Sequence, residues 1–238
     1  MDPSASLPEC LLFYVKWPEP GKVKTRLALH CGNDHAVGLY RCFVLDMLDS
    51  LAHNPQTVCI CYSPDESLPD FKSWLGETYL YLPQHGRDLG ERMCRSFQDA
   101  FRLGFKSVCL VGSDLPDLPP GYVQEAFEHL SVYESVIGPS VESGYYLIGF
   151  REETFFPEIF RNIEWSNSSV YRETVIRYEQ RGTKFFALFP WNDIDDLQDL
   201  RQWYRKNRNG STRAARTLEY LQGMKNLLEY QQYNTVSS

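Results

Sequence analysis

The sequence predicts an α/β protein in which a mostly parallel sheet is flanked by helices. Short apolar runs rich in β-branched residues alternate along the chain with longer segments of helical periodicity. The 238 residues, 43% of them hydrophobic, suffice for one domain with a full core. In such sheets ligands bind outside the carboxyl ends of the strands, so the residues that follow each strand are the candidate functional residues.

The predicted elements follow one another in a regular order. The predicted strands are residues 10–15, 57–62, 79–82, 107–111, 135–138, 144–150 and 184–189. The predicted helices between them are residues 27–52, 89–103, 121–133, 168–181 and 196–206. These elements form a domain over residues 8–206, and residues 207–238 form a linker and a C-terminal amphipathic helix. The apolar face of that helix suits packing on its own domain, with a homodimer contact as the alternative.

The charge balance narrows the class of partner. The formal net charge of −7 and the pI near 5.3 argue against general binding to nucleic acid or to an anionic membrane. No stretch approaches the roughly 18 apolar residues of a membrane span, and the N-terminus lacks the pattern of a signal peptide. The seven cysteines contain no C-x-x-C pair and suit a core of free thiols. We therefore expect a cytoplasmic protein that acts on small-molecule substrates.

A basic loop follows the first predicted strand. Four of the 24 Lys and Arg residues lie between Lys16 and Arg26. Gly21 and two prolines interrupt the chain there, so the cations lie on a turn between a strand and a helix. At the carboxyl end of a strand, such a cluster suits an anion and above all a phosphate. A solvated basic loop is the alternative interpretation.

An aspartate also follows the strand at 107–111. Asp114 is placed to bind a divalent cation that is itself bound to substrate phosphates. For an isolated Asp at a strand end, capping or turn formation is the common alternative. Asp117 lies farther into the turn and is expected to cap the next helix.

A second group of carboxylates follows the last predicted strand. Asp193 and Asp195 share one face of an extended segment and form a pair able to share one metal ion. Asp196 and Asp199 have the spacing of a capping box at the start of the next helix.

Three further turns carry candidate residues. The turn that contains Gly90 and Arg92 offers backbone amides and a cation to a nucleotide. Glu142 lies in a hairpin as a metal ligand, a base or an exposed carboxylate, and Gly144 beside it allows backbone to approach a ligand closely. Ser166 precedes a helix, where an N-cap role comes first and a substrate contact second.

Taken together, these segments resemble a bacterial transferase family associated with radical-SAM proteins and with arsenosugar biosynthesis, within the nucleotide-diphospho-sugar transferase superfamily. The resemblance covers about residues 10–205. It is carried by six segments in the family's order, at 16–27, 84–93, 112–118, 138–149, 165–166 and 193–200. It implies a single GT-A-like (Rossmann-like) domain with a C-terminal helical extension. The family is also similar to guanylyltransferases that load phospholactate or molybdopterin.

The resemblance implies a role for each candidate residue. Asp114 and Asp195 would hold Mg²⁺ or Mn²⁺ and would act in catalysis together with Glu142. The nucleotide phosphates would be bound by Lys16, Gly21, Lys24, Thr25, Arg26, Gly90 and Arg92. The acceptor would be bound by Gly144, Tyr145, Trp165 and Ser166. The family usually has Asp-Gly-Gly-Tyr where this chain has Glu142-Ser143-Gly144-Tyr145, which puts the role of this hairpin in doubt.

The predicted function is therefore a metal-dependent transferase whose donor is a nucleotide sugar or a nucleoside triphosphate. The family resemblance favours glycosyl transfer. Nucleotidyl transfer to a phosphorylated small molecule is the alternative, and it requires two strong phosphate-binding sites. A nucleotide-binding module without catalysis is the third hypothesis.

Overall fold

Strands and helices alternate through the part of the chain that this computed structural model describes, residues 8–141, 144–165, 169–210, 212–224 and 227–228. The strands are β1 (Glu9–Lys16), β2 (Thr57–Ser63), β3 (Leu80–Pro83), β4 (Ser107–Val111), β5 (Ser135–Pro139), β6 (Tyr145–Arg151) and β7 (Phe185–Ala187). The helices are α1 (Thr25–Cys31), α2 (Asn33–Leu51), α3 (Leu68–Leu75), α4 (Leu89–Arg102), α5 (Pro120–Leu130), α6 (Val170–Arg181), α7 (Leu197–Asn207) and α8 (Ala215–Gln222). None of the described helices is both long and apolar enough to cross a membrane.

The strands form one seven-stranded sheet in the order β3-β2-β1-β4-β6-β5-β7. Strand β6 is antiparallel to both of its neighbours, and all other pairs are parallel. The predicted single α/β domain with a mostly parallel sheet is thus confirmed. The strand order reverses between β1 and β4, because the chain adds β2 and β3 on one side of β1 and then places β4 on the other. In open α/β sheets, ligands bind at such a switch point.

The alternation of side chains along β1 builds a core on each face of the sheet. Leu11 and Phe13 pack in one cluster with residues of α2 and α5, whereas Cys10 and Leu12 pack in a second cluster with residues of α4. All four side chains are fully buried. With both faces covered by helices, the carboxyl ends of the central strands remain as the place where a ligand can reach the sheet.

Two helices differ from the prediction. The helix expected over residues 27–52 is divided into α1 and α2 at Gly32, whose φ of 82° lies in the left-handed region. Helix α3 was not predicted, because within it only Phe71 is buried and so short a segment has little periodicity.

The C-terminal helix packs on its own domain. Leu221 and Leu228 are buried in a cluster with Phe43 of α2 and Trp203 of α7. The buried carboxylate of Asp46 in α2 accepts hydrogen bonds from backbone N–H groups at the start of α8, at 2.8 and 3.1 Å. The described part of this apolar face therefore packs on its own domain, and a homodimer contact stays a prediction.

Candidate functional site

Two adjoining cavities open at the carboxyl ends of the strands beside the switch point. The first, here called the cation cavity, has a volume of about 560 Å³, and its lining includes Lys16, Lys22, Lys24, Arg26 and Arg92. The second, here called the aromatic cavity, has a volume of about 360 Å³, and its lining includes Tyr14, Tyr145, Tyr146 and Trp165. The residues that line both are Tyr14, Arg26, Leu89, Gly112 and Asp195.

Lys24 connects the basic loop to both groups of carboxylates. Its ammonium forms an ion pair with Asp114 Oδ1 at 2.8 Å and donates hydrogen bonds to Asp195 Oδ1 at 3.1 Å and to the carbonyl oxygen of Ile194 at 2.6 Å. The side chain is only 5% exposed. Its backbone is left-handed, with φ 45° and ψ 45°, a conformation that a non-glycine residue keeps only where its surroundings hold it. Lys24 lines the cation cavity while its ammonium contacts oxygen atoms of the protein, and its contact with phosphate stays a prediction.

The electrostatics of this cluster favour a cation between the two carboxylates. Burial raises the pKa of Asp114, Lys24 opposes that rise, and the charges of Asp195 and Asp193 add to it, so that the pKa is raised overall. Burial by itself lowers the pKa of Lys24, but Asp114 and Asp195 more than offset this effect, and the pKa of Lys24 is raised. The lysine is therefore a protonated counter-ion to both aspartates.

The same two carboxylates fit a hard divalent cation. Mg²⁺ is commonly bound through one or two carboxylates, with water and substrate phosphates as the other ligands, and Asp114 and Asp195 supply oxygen atoms of this kind. No group of three or more His, Cys, Asp or Glu side chains able to hold a metal occurs among the described residues. A metal ion here would therefore need ligands from water or substrate, and Lys24 would have to share the carboxylates with it.

A frame of buried hydrogen bonds holds the strand ends that carry the site. The Lys16 N–H donates to the Tyr40 hydroxyl at 2.9 Å, and that hydroxyl is bonded to Ser113 Oγ at 2.9 Å. Gln84 donates to the carbonyl oxygens of Cys61 at 2.6 Å and Val15 at 3.3 Å, and so joins the ends of β1 and β2. Tyr40, Gln84 and Ser113 were missed by the sequence reasoning, although Ser113 directly precedes Asp114.

Of the remaining basic residues of the cation cavity, Lys22 is paired with Glu19 at 2.9 Å, and the other three are available to a ligand. Lys16 is exposed, and no carboxylate pairs with it among the described residues. Arg26 is 69% exposed and lies 3.8 Å from Asp195 Oδ2, a weak pairing. Arg92 donates from Nε to the carbonyl oxygen of Gly86, which orients its guanidinium. Thr25, at the first position of α1, also lines this cavity.

Two of the predicted phosphate-binding glycines have other roles. Gly21 has a φ of 76°, which fits the turn in the basic loop, but it lines neither cavity. Gly90 is buried, and a Cβ atom there would lie 2.7 Å from the Trp165 ring. Gly90 lines neither cavity, and the lack of a side chain there lets the Trp165 indole pack closely on α4, so its contact with phosphate stays a prediction.

Tyr145 and Trp165 form one wall of the aromatic cavity. Their rings meet nearly at right angles, with centroids 6.4 Å apart, and the Tyr145 hydroxyl contacts Met93 Sδ at 3.9 Å. Gly144 lines the same cavity. Glu142 and Ser166, the other candidates from these two turns, lie outside the described residues.

The carboxylates after β7 have separate roles. Asp193 accepts a hydrogen bond from Ser140 Oγ at 2.6 Å and lines the aromatic cavity, whereas Asp195 faces Lys24. Asp196 and Asp199 form the predicted capping box of α7.

The expectation that Asp117 caps a helix was wrong. The first residue before α5 is Pro119, and no side chain caps that helix. Asp117 instead accepts a hydrogen bond from Trp191 Nε1 at 3.2 Å.

The reversed strand order and the basic cavity at its switch point define the class of protein as an open α/β fold with an anion-binding site at the carboxyl ends of its strands. The chain belongs to the DUF2064 family, described as "uncharacterized protein conserved in bacteria", whose model matches residues 47–167. It is similar to a provisionally assigned nucleotide-diphospho-sugar transferase from Desulfovibrio desulfuricans G20, with 46% identity, 92% of this chain and 96% of that chain covered, and a TM-score of 0.88.

Cytidylyltransferases share the fold at low sequence identity. One from Leptospira borgpetersenii is 12% identical, with 98% of this chain and 100% of that chain covered and a TM-score of 0.54. The 4-diphosphocytidyl-2C-methyl-D-erythritol synthase from Anaerococcus prevotii is 9% identical, with 91% and 96% covered and a TM-score of 0.55. No curated protein matches the sequence.

Proposed function

We propose that this protein is a transferase that binds the phosphates of a nucleotide-activated donor in the cation cavity and transfers a glycosyl group to a small-molecule acceptor. One observation carries the proposal. Five Lys and Arg residues line a single cavity at the switch point of a chain whose net charge is −7, and Lys16, Arg26 and Arg92 among them form no close ion pair with a described carboxylate. Such a local excess on an acidic protein suits a small, highly charged anion. The similarity to the Desulfovibrio protein, whose name specifies a nucleotide-diphospho-sugar, supports the same donor class.

The chain's own residues would perform three tasks. Lys16, Arg26 and Arg92 bind and orient the diphosphate, which places the donor for attack and offsets the charge that develops on the leaving group. Lys24 holds the basic loop against the strand ends. Asp114 and Asp195 would hold Mg²⁺ or Mn²⁺, which when bound supplies further charge neutralisation at the phosphates.

The proposed reaction is balanced without a further reactant. The acceptor oxygen forms a bond to the anomeric carbon, and the bond between that carbon and the diphosphate oxygen breaks. The nucleoside diphosphate leaves with the electron pair, and the acceptor's proton passes to solvent.

Nucleotidyl transfer is the second candidate, because the fold is shared with cytidylyltransferases. In that reaction an acceptor phosphate attacks the α-phosphorus of a nucleoside triphosphate and pyrophosphate leaves. The association with radical-SAM proteins and the arsenosugar specificity remain predictions from the family resemblance.

Calorimetric binding of uridine, guanosine, cytidine and adenosine diphosphates, each with and without Mn²⁺, tests the proposal. We expect at least one to bind, and Arg26→Ala to weaken it about tenfold or more, since a charge-assisted hydrogen bond contributes ~1.5–3 kcal/mol. Lys106→Ala is the matched control, because Lys106 is a surface cation that pairs with Glu152 outside both cavities. Failure of all four nucleotides to bind, or equal losses in the two variants, would contradict the proposal.

A further inference from the structure

We propose that the aromatic cavity binds an unphosphorylated, hydroxyl-bearing group, with a sugar ring as the best fit, and that it rejects a phosphorylated substrate. This inference rests on the proposed function, because it identifies the group that is attached to the diphosphate in the adjoining cavity. It distinguishes glycosyl transfer from nucleotidyl transfer, because the cation cavity alone is compatible with both reactions.

The first argument is charge. Among the described lining residues of the aromatic cavity, Arg26 is the only Lys or Arg, and it is shared with the cation cavity. Two carboxylates, Asp193 and Asp195, line the same space. Asp195 is paired with Lys24, so a second phosphate would face the carboxylate of Asp193 and would have no described basic neighbour other than the shared Arg26, an arrangement that opposes binding.

The second argument is the chemistry of the walls. The aromatic side chains of Tyr145 and Trp165 line the cavity, and aromatic rings suit packing against the C–H groups of a sugar ring. Ser140 donates to Asp193 Oδ1 at 2.6 Å, which fixes a carboxylate whose remaining acceptor capacity suits hydroxyl groups. Apolar walls with a few fixed polar groups are typical of small-molecule sites.

The third argument is the way in which the wall of the aromatic cavity is held and the cavity is joined to its neighbour. The Trp165 indole packs against the buried backbone of α4, where Gly90 leaves it room, so this wall is held by the fold. Gly112 lines both cavities, and a Cβ atom added there would meet nothing within 4 Å. The passage between the cavities is thus open, and a group in the aromatic cavity lies next to phosphates in the cation cavity.

Ligand-observed NMR and calorimetry with defined probes test this assignment. The probes are the diphosphate that binds best, its glucose and mannose conjugates, and glucose 1-phosphate and mannose 1-phosphate. In saturation-transfer spectra of a bound conjugate, the sugar ring protons should receive saturation. Trp165→Ala and Asp193→Asn should each weaken the conjugate about fivefold or more and the free diphosphate less than twofold. Trp165→Phe, which keeps an aromatic face, should recover part of the loss.

Sugar 1-phosphates test whether the aromatic cavity rejects a phosphorylated substrate. Neither sugar 1-phosphate should bind in the aromatic cavity, and neither should release pyrophosphate from CTP, GTP, UTP or ATP. Pyrophosphate release, or sugar-phosphate binding that Trp165→Ala abolishes, would overturn the inference while leaving nucleotide binding in place. Equal losses of conjugate and free diphosphate in the Trp165 variant would also overturn it. If no nucleotide binds the wild-type protein, the proposed function fails and this inference fails with it.

Discussion

The two cavities share a wall but differ in chemistry and in origin. Most basic residues of the cation cavity come from one short loop after β1, within Lys16–Arg26. The aromatic wall combines Tyr145 of β6 with Trp165, which precedes α6, and its acidic side comes from Asp193 after β7. The comparison indicates that one side of the site is built locally to hold charge. The other is assembled from distant segments to recognise a less charged group.

Lys24 lies where the two sides meet. Its ammonium pairs with Asp114, which follows β4, and with Asp195, which follows β7. The lysine side chain is almost completely buried. The lysine therefore stabilises the boundary between the cavities.

Among the variants that distinguish the two cavities, Asp114→Asn is expected to have the largest effect, and that effect is on the rate of donor turnover. Asp114 lines the cation cavity and is paired with Lys24 at 2.8 Å, so its loss should lower the rate of donor turnover about 100-fold or more. Initial rates at saturating donor measure this. Asp117→Asn is the control, because that carboxylate faces Trp191 and lines neither of the two cavities, and it should change the rate less than twofold. Similar losses in both variants would contradict the assignment.

Lys24→Met tests whether the Lys24 ammonium stabilises the carboxylate pair at the boundary between the cavities. Removing the ammonium leaves two facing carboxylates without their counter-ion, which should cost on the order of 2 kcal/mol in unfolding free energy. The loss should fall below that of a fully buried pair, since Asp114 and Asp195 are 37% and 42% exposed. Urea unfolding measures it, and Lys22→Met, whose exposed ammonium pairs with Glu19, should cost less than about 0.5 kcal/mol.

Added Mn²⁺ extends that experiment. If the aspartates form a metal site, Mn²⁺ should raise the melting temperature of Lys24→Met more than that of the wild-type protein. An equal rise in both proteins would argue against a metal ion at this pair.

Gly90→Ala sharpens the comparison, because Gly90 is predicted to bind phosphate and in the structure packs against Trp165. The added methyl group would press on the carbonyl oxygen of Phe160 and on the Trp165 indole, and overpacking of this kind typically costs about 1–3 kcal/mol. We expect weaker binding of the nucleotide sugar and unchanged binding of the free diphosphate in calorimetry. Gly121→Ala, where a Cβ atom meets nothing within 4 Å, is the matched control. A selective loss of diphosphate binding would support the predicted phosphate contact instead.

The smallest effect is expected at Glu91, on the helix that contributes Arg92 to one cavity and Met93 to the other. The Arg87 N–H, together with the guanidinium groups of Arg87 and Arg95, lowers the pKa of Glu91 from 4.5 to about 2. A folded-state pKa below the unfolded value stabilises the fold above the unfolded pKa, and this contribution is lost as the pH falls from about 4.5 to about 2.

Urea midpoints for the wild-type protein and Glu91→Gln should therefore differ most at pH 7 and converge towards pH 3. Since α4 serves both cavities, binding of the diphosphate and of its sugar conjugate should change together. A difference in midpoint that grows on acidification would contradict this role.

The sequence was informative where the signal is local. The apolar runs predicted the seven strands closely, because each is a short buried segment bounded by turn residues. The basic loop and Asp114 could be found for the same reason, since each directly follows a strand. The capping box of α7 depends on a spacing of three residues and was also predicted.

Contacts between distant segments could not be found in this way. The burial of Lys24 depends on Asp195, 171 residues farther along the chain. The packing role of Gly90 depends on Trp165, and the frame that joins β1 to β4 depends on Tyr40 from α2. Local sequence patterns carry no information on which distant residues contact one another in the fold.

A crystal structure with the tightest-binding nucleotide sugar and Mn²⁺ tests the central claim most directly. The account predicts that the diphosphate lies among Lys16, Arg26 and Arg92 and that the unphosphorylated sugar ring rests against Tyr145 and Trp165. A sugar bound among the basic residues with the phosphates in the aromatic cavity, or a ligand bound outside both cavities, would contradict it.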